Sequence, residues 1–329
     1  MNTMKRHQYY LILLLLLPFG VFTQEQDATP DFRFMGFLQH HVSNGINRDD
    51  PWDFNVRRVR FGVRGNVNER VNFVVVAGAL EPPNRTPQPV NAFIDVTFSH
   101  AFKLRAGQFF VPFGLEGQQS ITRNPAIERS LVVRRLNTHR MFRDIGVQLS
   151  GRLGIFGYQL AVLNGQGANA TERVDRKNVA GRVSISPRNN IEIGVSGQSG
   201  NYVPESTPGS YFDRNRFGVD IDYRLAGLHL RSEFIYRQDE LPLNREQNWS
   251  GGYLLGDVKL HRDLSITGRF EYLETDIESS IHTMRSYLLG VNYILYENIR
   301  VSANYELRYD YLAPDERENL IVLQMQLAV

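Results

Sequence analysis

From Asp31 to the end of the chain, apolar and polar residues alternate with a period of two. Val59, Phe61 and Val63 are apolar, while Arg58, Arg60 and Arg64 take even positions. Side chains of a strand point alternately to its two faces, so this segment has one greasy and one cationic side. The pattern returns in Val179 to Ile185 against Asn178, Arg182 and Ser184, and in Phe217 to Leu225 against Arg216, Asp220, Asp222 and Arg224. It recurs in Leu264 to Tyr272 and again in Ile299 to Leu307, where Arg300, Ser302, Asn304, Glu306 and Arg308 are the polar set. No helix of ordinary length interrupts the series, which predicts an all-β chain.

The connections distinguish a soluble sandwich from a membrane barrel. Short turns are expected at Asn68 to Arg70, Ser99 to His100, Leu153 to Gly154, Pro187 to Asn190, Ala226 to Gly227, His261 to Asp263 and Tyr296 to Asn298. Between them fall longer polar connections, at Ser43 to Asp53, Glu81 to Pro89, Gly165 to Arg176, Ser199 to Arg214, Gln238 to Asn248 and Asp310 to Asn319. Strict short-long alternation is what a transmembrane antiparallel up-and-down β-barrel produces, here of about 16 strands. A strand of about ten residues, tilted about 45°, crosses roughly 23 Å, close to the apolar band of a bilayer. A β-sandwich shares the alternation. It does not explain charged faces that run the length of the strands. The last strand, Leu320 to Val329, is expected to pair with the first, Phe32 to Val42, leaving no edge open to lipid. Val329 stands where such strands usually end in an aromatic residue.

Residues 1–24 have a different character. Lys5 and Arg6 precede the apolar run Leu11 to Leu17, which is too short to span a bilayer as a helix. The segment is expected to be a secretory signal peptide, with the barrel over residues 25–329. The chain of 329 residues carries a formal net charge of +2, and without this leader 35 basic residues face 35 acidic ones. Any charge that matters is therefore local. The absence of Cys removes disulfides and thiol chemistry. The mean hydropathy of -0.33 argues against a bundle of transmembrane helices and is compatible with a barrel whose lumen is polar.

Five runs occur in order: LRAGQFFVPFGLE from Leu104, ERSLV from Glu128, RDIGVQLSG from Arg143, YQLAVLNGQG from Tyr158 and NVAGRVSISP from Asn178. With RRVRFGVRG from Arg57 they resemble the phosphate-selective porin O and P family across the first half of the mature chain. The resemblance implies a trimeric, sixteen-stranded, anion-preferring channel in the bacterial outer membrane, with a third loop entering the lumen. The family also uses lumen lysines for phosphate. Here Lys occurs only at 5, 103, 177 and 259, which favours the broader expectation of anion selectivity, with phosphate or polyphosphate as candidate solutes.

The segment between Val111 and Phe142 supports that expectation from its own residues. It holds Arg123, Arg129, Arg134, Arg135 and Arg140 against only Glu116 and Glu128. A connection this long is expected to be functional or disordered. Pro112 and Gly114 suit a sharp inward bend, which makes 111–142 the expected constriction loop. Across a pore its arginines would concentrate anions through a focused field. As an outer flap they would instead meet lipopolysaccharide phosphates. On the wall, Arg33, Arg58, Arg60, Arg64, Lys103, Arg105 and Arg182 are the candidate anion pathway. Guanidinium groups offer forked, permanently charged contacts to oxyanions. Acids such as Asp95, Glu192, Asp220, Asp222, Glu233, Glu271 and Glu306 share that face, so part of the arginine set is expected to brace the wall through salt bridges.

The competing classes are an outer-membrane barrel hydrolase and a general porin with little ion selectivity. For the first, His40, His41, Ser43, Asp49 and Asp50 cluster near the first loop, but neighbouring His40 and His41 point to opposite faces and no nucleophile arrangement follows. Gly165 and Gly167 form a loop turn without the following helix a nucleotide site needs. No catalytic residue, cofactor or metal site is assigned, and the interspersed acids argue against nucleic-acid binding. The expected partners are small anions, outer-membrane lipid and lipopolysaccharide, and two further copies of the chain.

Overall fold

The computed structural model describes residues 30–45, 51–79, 86–137, 140–170, 176–203, 211–241, 245–277, 280–310 and 317–329. The expected signal peptide, Asp49 and Asp50, and the side chain of Arg140 lie outside the described residues. The strands are β1 (Asp31–Gly45), β2 (Asp53–Asn66), β3 (Val71–Ala79), β4 (Gln88–Ser99), β5 (Phe102–Phe110), β6 (Arg143–Leu153), β7 (Phe156–Leu163) and β8 (Asn178–Arg188). They continue with β9 (Ile191–Tyr202), β10 (Phe212–Leu225), β11 (Leu228–Leu241), β12 (Arg245–His261), β13 (Leu264–Ile277), β14 (Ser280–Tyr296), β15 (Ile299–Asp310) and β16 (Arg317–Ala328). Each pairs antiparallel with its neighbours in sequence, and β1 pairs with β16 to close the barrel. Closure satisfies the backbone groups that an open edge would leave unpaired in lipid.

Alternation becomes two surfaces. Apolar side chains such as Phe34, Val75, Leu160, Val183 and Leu289 are exposed on the outside, Phe34 by 84%. In hydrocarbon this is the solvated state for them. The opposite parity places Gln39, Arg58, Arg182, Asp220, Glu233, Arg269 and Gln324 inside, all of them buried. Tyr293 and Tyr296 stand at the short-turn end of the outer face, and Tyr236, Tyr287 and Tyr305 lie toward the other end. Such rings mark the two membrane interfaces.

The expected short turns lie where the alternation put them. Strict length alternation does not hold. β11 and β12 are joined by residues 242–244, and β13 and β14 by 278–279, although the former was expected to be long. The reason is that β12 and β14 run for 17 residues, so ladder takes the place of loop. β7, by contrast, has 8 residues. At about 3.4 Å per residue and 45° tilt, the tall side rises roughly 41 Å and the low side roughly 19 Å.

Candidate functional site

The segment from Val111 to Phe142 leaves β5, lies against inner-face residues of β9 and β11 to β16, and returns to β6. Its entry turns at Gly114, whose φ of +67° favours glycine. A Cβ there would also meet Glu233 Oε1 at 2.0 Å. Next come two 3-10 turns, Glu116–Gln118 and Ile121–Arg123, and the single helical turn and a half α1 (Leu131–Leu136). Ser130 caps α1, its hydroxyl accepting from the Val133 amide at 3.0 Å.

Two wall carboxylates hold the segment by its backbone. Glu233 on β11 accepts from the amides of Leu115 and Glu116, each at 3.1 Å. Glu271 on β13 accepts from Leu131 and Val132 at the start of α1. Further along, the Ile127 amide donates to Asn304 on β15 at 2.8 Å, and Arg269 donates to the Glu128 carbonyl at 2.8 Å. Beneath these bonds Phe113, Val132, Val133 and Leu136 pack in one buried cluster with Ile235, Tyr253, Leu255, Leu273 and Leu288. Those five wall residues have lumen parity, yet they are not charged. Their sequence signal is a doublet or triplet that interrupts the alternation, as in Phe234-Ile235-Tyr236, Tyr253-Leu254-Leu255 and Tyr287-Leu288-Leu289.

The segment also reaches β2. Glu128 pairs with Arg57 Nε at 2.9 Å and with Arg58 Nη2 at 2.8 Å. Consecutive strand residues should face opposite ways. Here the register slips, Gln39 facing Arg58 and His40 facing Val56, so Arg57 sits in a bulge and turns inward. Burial opposes the charged form of Glu128, but the guanidinium groups of Arg58 and Arg57 outweigh it and hold the carboxyl well below the usual carboxylate range. Arg58 also donates to Gln39 at 3.0 Å, and Gln39 to Gln326 at 2.8 Å across the β1–β16 seam.

The predicted arginines divide by environment. Arg129 is buried rather than lumen-facing: its Nε donates to the Glu116 carbonyl at 3.2 Å, and its guanidinium lies 4.6 Å from the Phe142 ring centre. Burial lowers its pKa to about 10, with Glu116 opposing, so it stays charged at neutral pH. Arg123, Arg134 and Arg135 are exposed, and none has a carboxylate within ion-pair distance among the described residues. On the wall, Arg58 is held by Glu128. Lys103 and Arg105 share Asp95, at 3.5 and 2.6 Å, and Arg182 is held by Asp220 at 2.5 Å and Glu192 at 2.9 Å. Arg33 pairs with Asp31 at 3.1 Å near the short-turn end. Arg64 faces Arg33 in the register and is exposed, and Arg60 lies 5.4 Å from the Phe37 ring.

The arginines that sequence reasoning missed include Arg57, Arg214 and Arg237. Arg57 carries no parity signal because a bulge places it. Arg214 and Arg237 share Asp239, and their parity matches that of Arg216 and Arg231, so the alternation could have found them. Of the candidate catalytic cluster, His41 is buried with Nε2 2.8 Å from Gln324 Oε1, while His40 is beside the Phe54 ring on the other face.

The chain matches the family Phosphate-selective porin O and P over residues 39–329. It belongs to that family. The porin matches no curated protein in sequence. Solved structures share its architecture. OmpTdeltaL8, a loop deletion mutant of the outer-membrane protein OmpT of Vibrio cholerae, superposes with a TM-score of 0.73 at 12% identity, covering 92% of this chain and 100% of that one. The trimer form of OmpT from the same organism gives 0.71 at 13%, with the same coverage. An anion-selective porin from Comamonas acidovorans gives 0.73 at 11%, also over 92% and 100%. At these identities the likeness shows the fold, and the family match shows the rest: this is a bacterial outer-membrane porin, a channel and not an enzyme.

Proposed function

We propose that this porin passes small anions by passive diffusion, with the segment 111–142 as its constriction and a homotrimer as its working form. The observation that carries the reading is the contrast in charge pairing. Most wall arginines are matched by carboxylates, whereas Arg123, Arg134 and Arg135 are exposed and unmatched among the described residues. In a narrow, low-dielectric passage three cations without a carboxylate at ion-pair distance set the sign of the permeating ion. The Comamonas acidovorans porin is described as anion-selective and one OmpT structure as a trimer, in line with this reading. Phosphate and polyphosphate are the solutes suggested by the family. Residues 1–24 act as the export signal in the same proposal.

Reversal potentials across a planar bilayer in a salt gradient test it. Anion preference is expected, and cation preference would sink the idea. A second reading, a general porin with little selectivity, draws on the paired wall: Asp95, Asp220, Asp222, Asp239, Glu271 and Glu306 neutralise the arginines beside them. A reversal potential near zero would favour it.

A further inference from the structure

The open stretch of the inner wall carries a cavity that the constriction does not occupy. It lies at the short-turn end of β4 to β9, whereas the segment 111–142 starts from the long-loop end of β5. Its volume of about 420 Å³ suits a small organic molecule and is far more than a bare oxyanion fills. Strand register arranges its floor in rows. Lys103, Ser150, Gln159 and Arg182 stand directly opposite one another across β5, β6, β7 and β8. At about 4.8 Å per strand this row is roughly 14 Å long. Arg152, Gly157 and Ser184 form the next row toward the turns.

Cations stand at the ends of these rows, with neutral groups between them. Lys103 lies 3.5 Å from Asp95, which Arg105 holds more closely, and Arg152 lies 3.8 Å from Glu192, so both heads keep N–H donors for a solute. The Ser150 and Ser184 hydroxyls have no side-chain partner among the described residues, and Gln159 Oε1 is without a donor. Gly157 keeps the floor open, since a Cβ there would meet Ser184 Oγ at 2.9 Å. Glu192, held by Arg182 at 2.9 Å, adds a carboxylate acceptor. A fully ionised oxyanion has no use for these acceptors, and Glu192 repels it. Neighbouring hydroxyls on one solute use donors and acceptors alike, which is what serine, glutamine and glutamate present together.

We propose that this cavity binds a hexose-sized polyol bearing one acidic group, with the acid on Lys103 and Arg152 and the hydroxyls along Ser150, Gln159, Ser184 and Glu192. Lys103 and Arg152 are diagonal neighbours on adjacent strands, so side chains of their length reach one carboxylate or phosphate together. The site deepens the anion-channel reading by naming a class of solute, and it rests on that reading only for the solute's access. The constriction sorts by charge, whereas this cavity recognises the uncharged part of the solute.

The test is calorimetric titration of the purified porin in detergent, which needs no permeation. The probes are glucuronate against acetate, glucose 6-phosphate against inorganic phosphate, and glucose. One or both acidic sugars are expected to bind about fivefold more tightly than the hydroxyl-free counterpart and than glucose, and the better of the two assigns the acid. Gln159→Leu is expected to lower the preference over the counterpart about threefold with the counterpart's own affinity unchanged. Lys103→Gln is expected to remove the advantage over glucose. The site is overturned if neither acidic sugar exceeds its counterpart, or if Gln159→Leu leaves the preference intact. Should either variant fail to fold, Gly157→Leu decides, because it fills the floor and touches no charge: an acidic sugar is expected to lose about tenfold and the small anion little, and equal affinity for the sugar before and after overturns the site. Reversal potentials remain a separate measurement. Cation preference sinks the anion-channel reading, while anion preference without sugar discrimination sinks this site alone.

Discussion

Two stretches of the inner wall use the same chemistry in different surroundings. Under the loop, Arg269 and Glu271 form an ion pair at 2.6 Å with side chains 0% and 1% exposed. On the opposite side, Lys103, Arg152, Arg182 and Glu192 line an open cavity of about 420 Å³, where Arg152 is 57% and Glu192 30% exposed. The covered wall adds Ile235, Leu255, Leu273 and Leu288 to its charges, whereas the open wall has Gln148, Ser150, Gln159 and Ser184 at the corresponding inward positions. What lies over a charged residue decides its role. A covered pair becomes a structural joint that solvent does not screen, and an open one remains available to ions passing by.

The sharpest way to break this contrast is to remove one member of each pair. Glu271→Ala leaves Arg269 buried without its partner and strips the α1 amides of their acceptor. A loss of about 3–5 kcal/mol in urea unfolding is expected. Glu192→Ala on the open wall should cost no more than about 1 kcal/mol. Equal losses would mean that the loop does not set the difference.

Packing gives the next contrast. Leu136→Ala removes a side chain that is fully buried between α1 and the wall and should cost about 2–4 kcal/mol. Leu289→Ala, 61% exposed on the lipid side, should cost clearly less by the same unfolding measurement.

Function should follow the loop's free cations. Replacing Arg134 and Arg135 by Ala is expected to lower the anion-to-cation permeability ratio about threefold or more. The same change at Arg188, exposed at the end of β8, should have little effect. Comparable shifts would refute a constriction formed by the loop.

The smallest expected effect is that of acid. Glu128 has a depressed pKa, so its pairing with Arg57 and Arg58 is fully present above the ordinary glutamate value of about 4.3. It is lost only as pH falls through the lower folded value. Single-channel conductance should therefore hold between about pH 7 and pH 5 if this joint governs it, and an early change would point to another group.

Much of the architecture was legible in the chain itself. Alternation gave the two faces, the turn residues gave the short hairpin ends, and the apolar stretch Leu320 to Val329 pointed to closure against the first strand. The structure extends both seam strands, because backbone pairing continues beyond the membrane, where side-chain parity no longer matters. The doublets at Ile235, Leu255 and Leu288 were a visible irregularity whose meaning depended on what covered them.

The arginines show where sequence stops. Composition and parity placed Arg58, Arg105 and Arg182 on the inner face, which is a local property of strands with a period of two. Whether each meets solute or carboxylate depends on residues brought in from other strands or from the loop: Glu128 for Arg58, Asp95 for Arg105 and Asp220 for Arg182. Arg57 faces inward only because β1 and β2 slip by one residue, an event of pairing between strands. The sequence by itself determined a barrel with a polar lumen and an arginine-rich third loop. Tertiary structure alone decided which arginines remain without a carboxylate, because neutralisation depends on distances of a few ångströms between strands that the chain brings together only on closing.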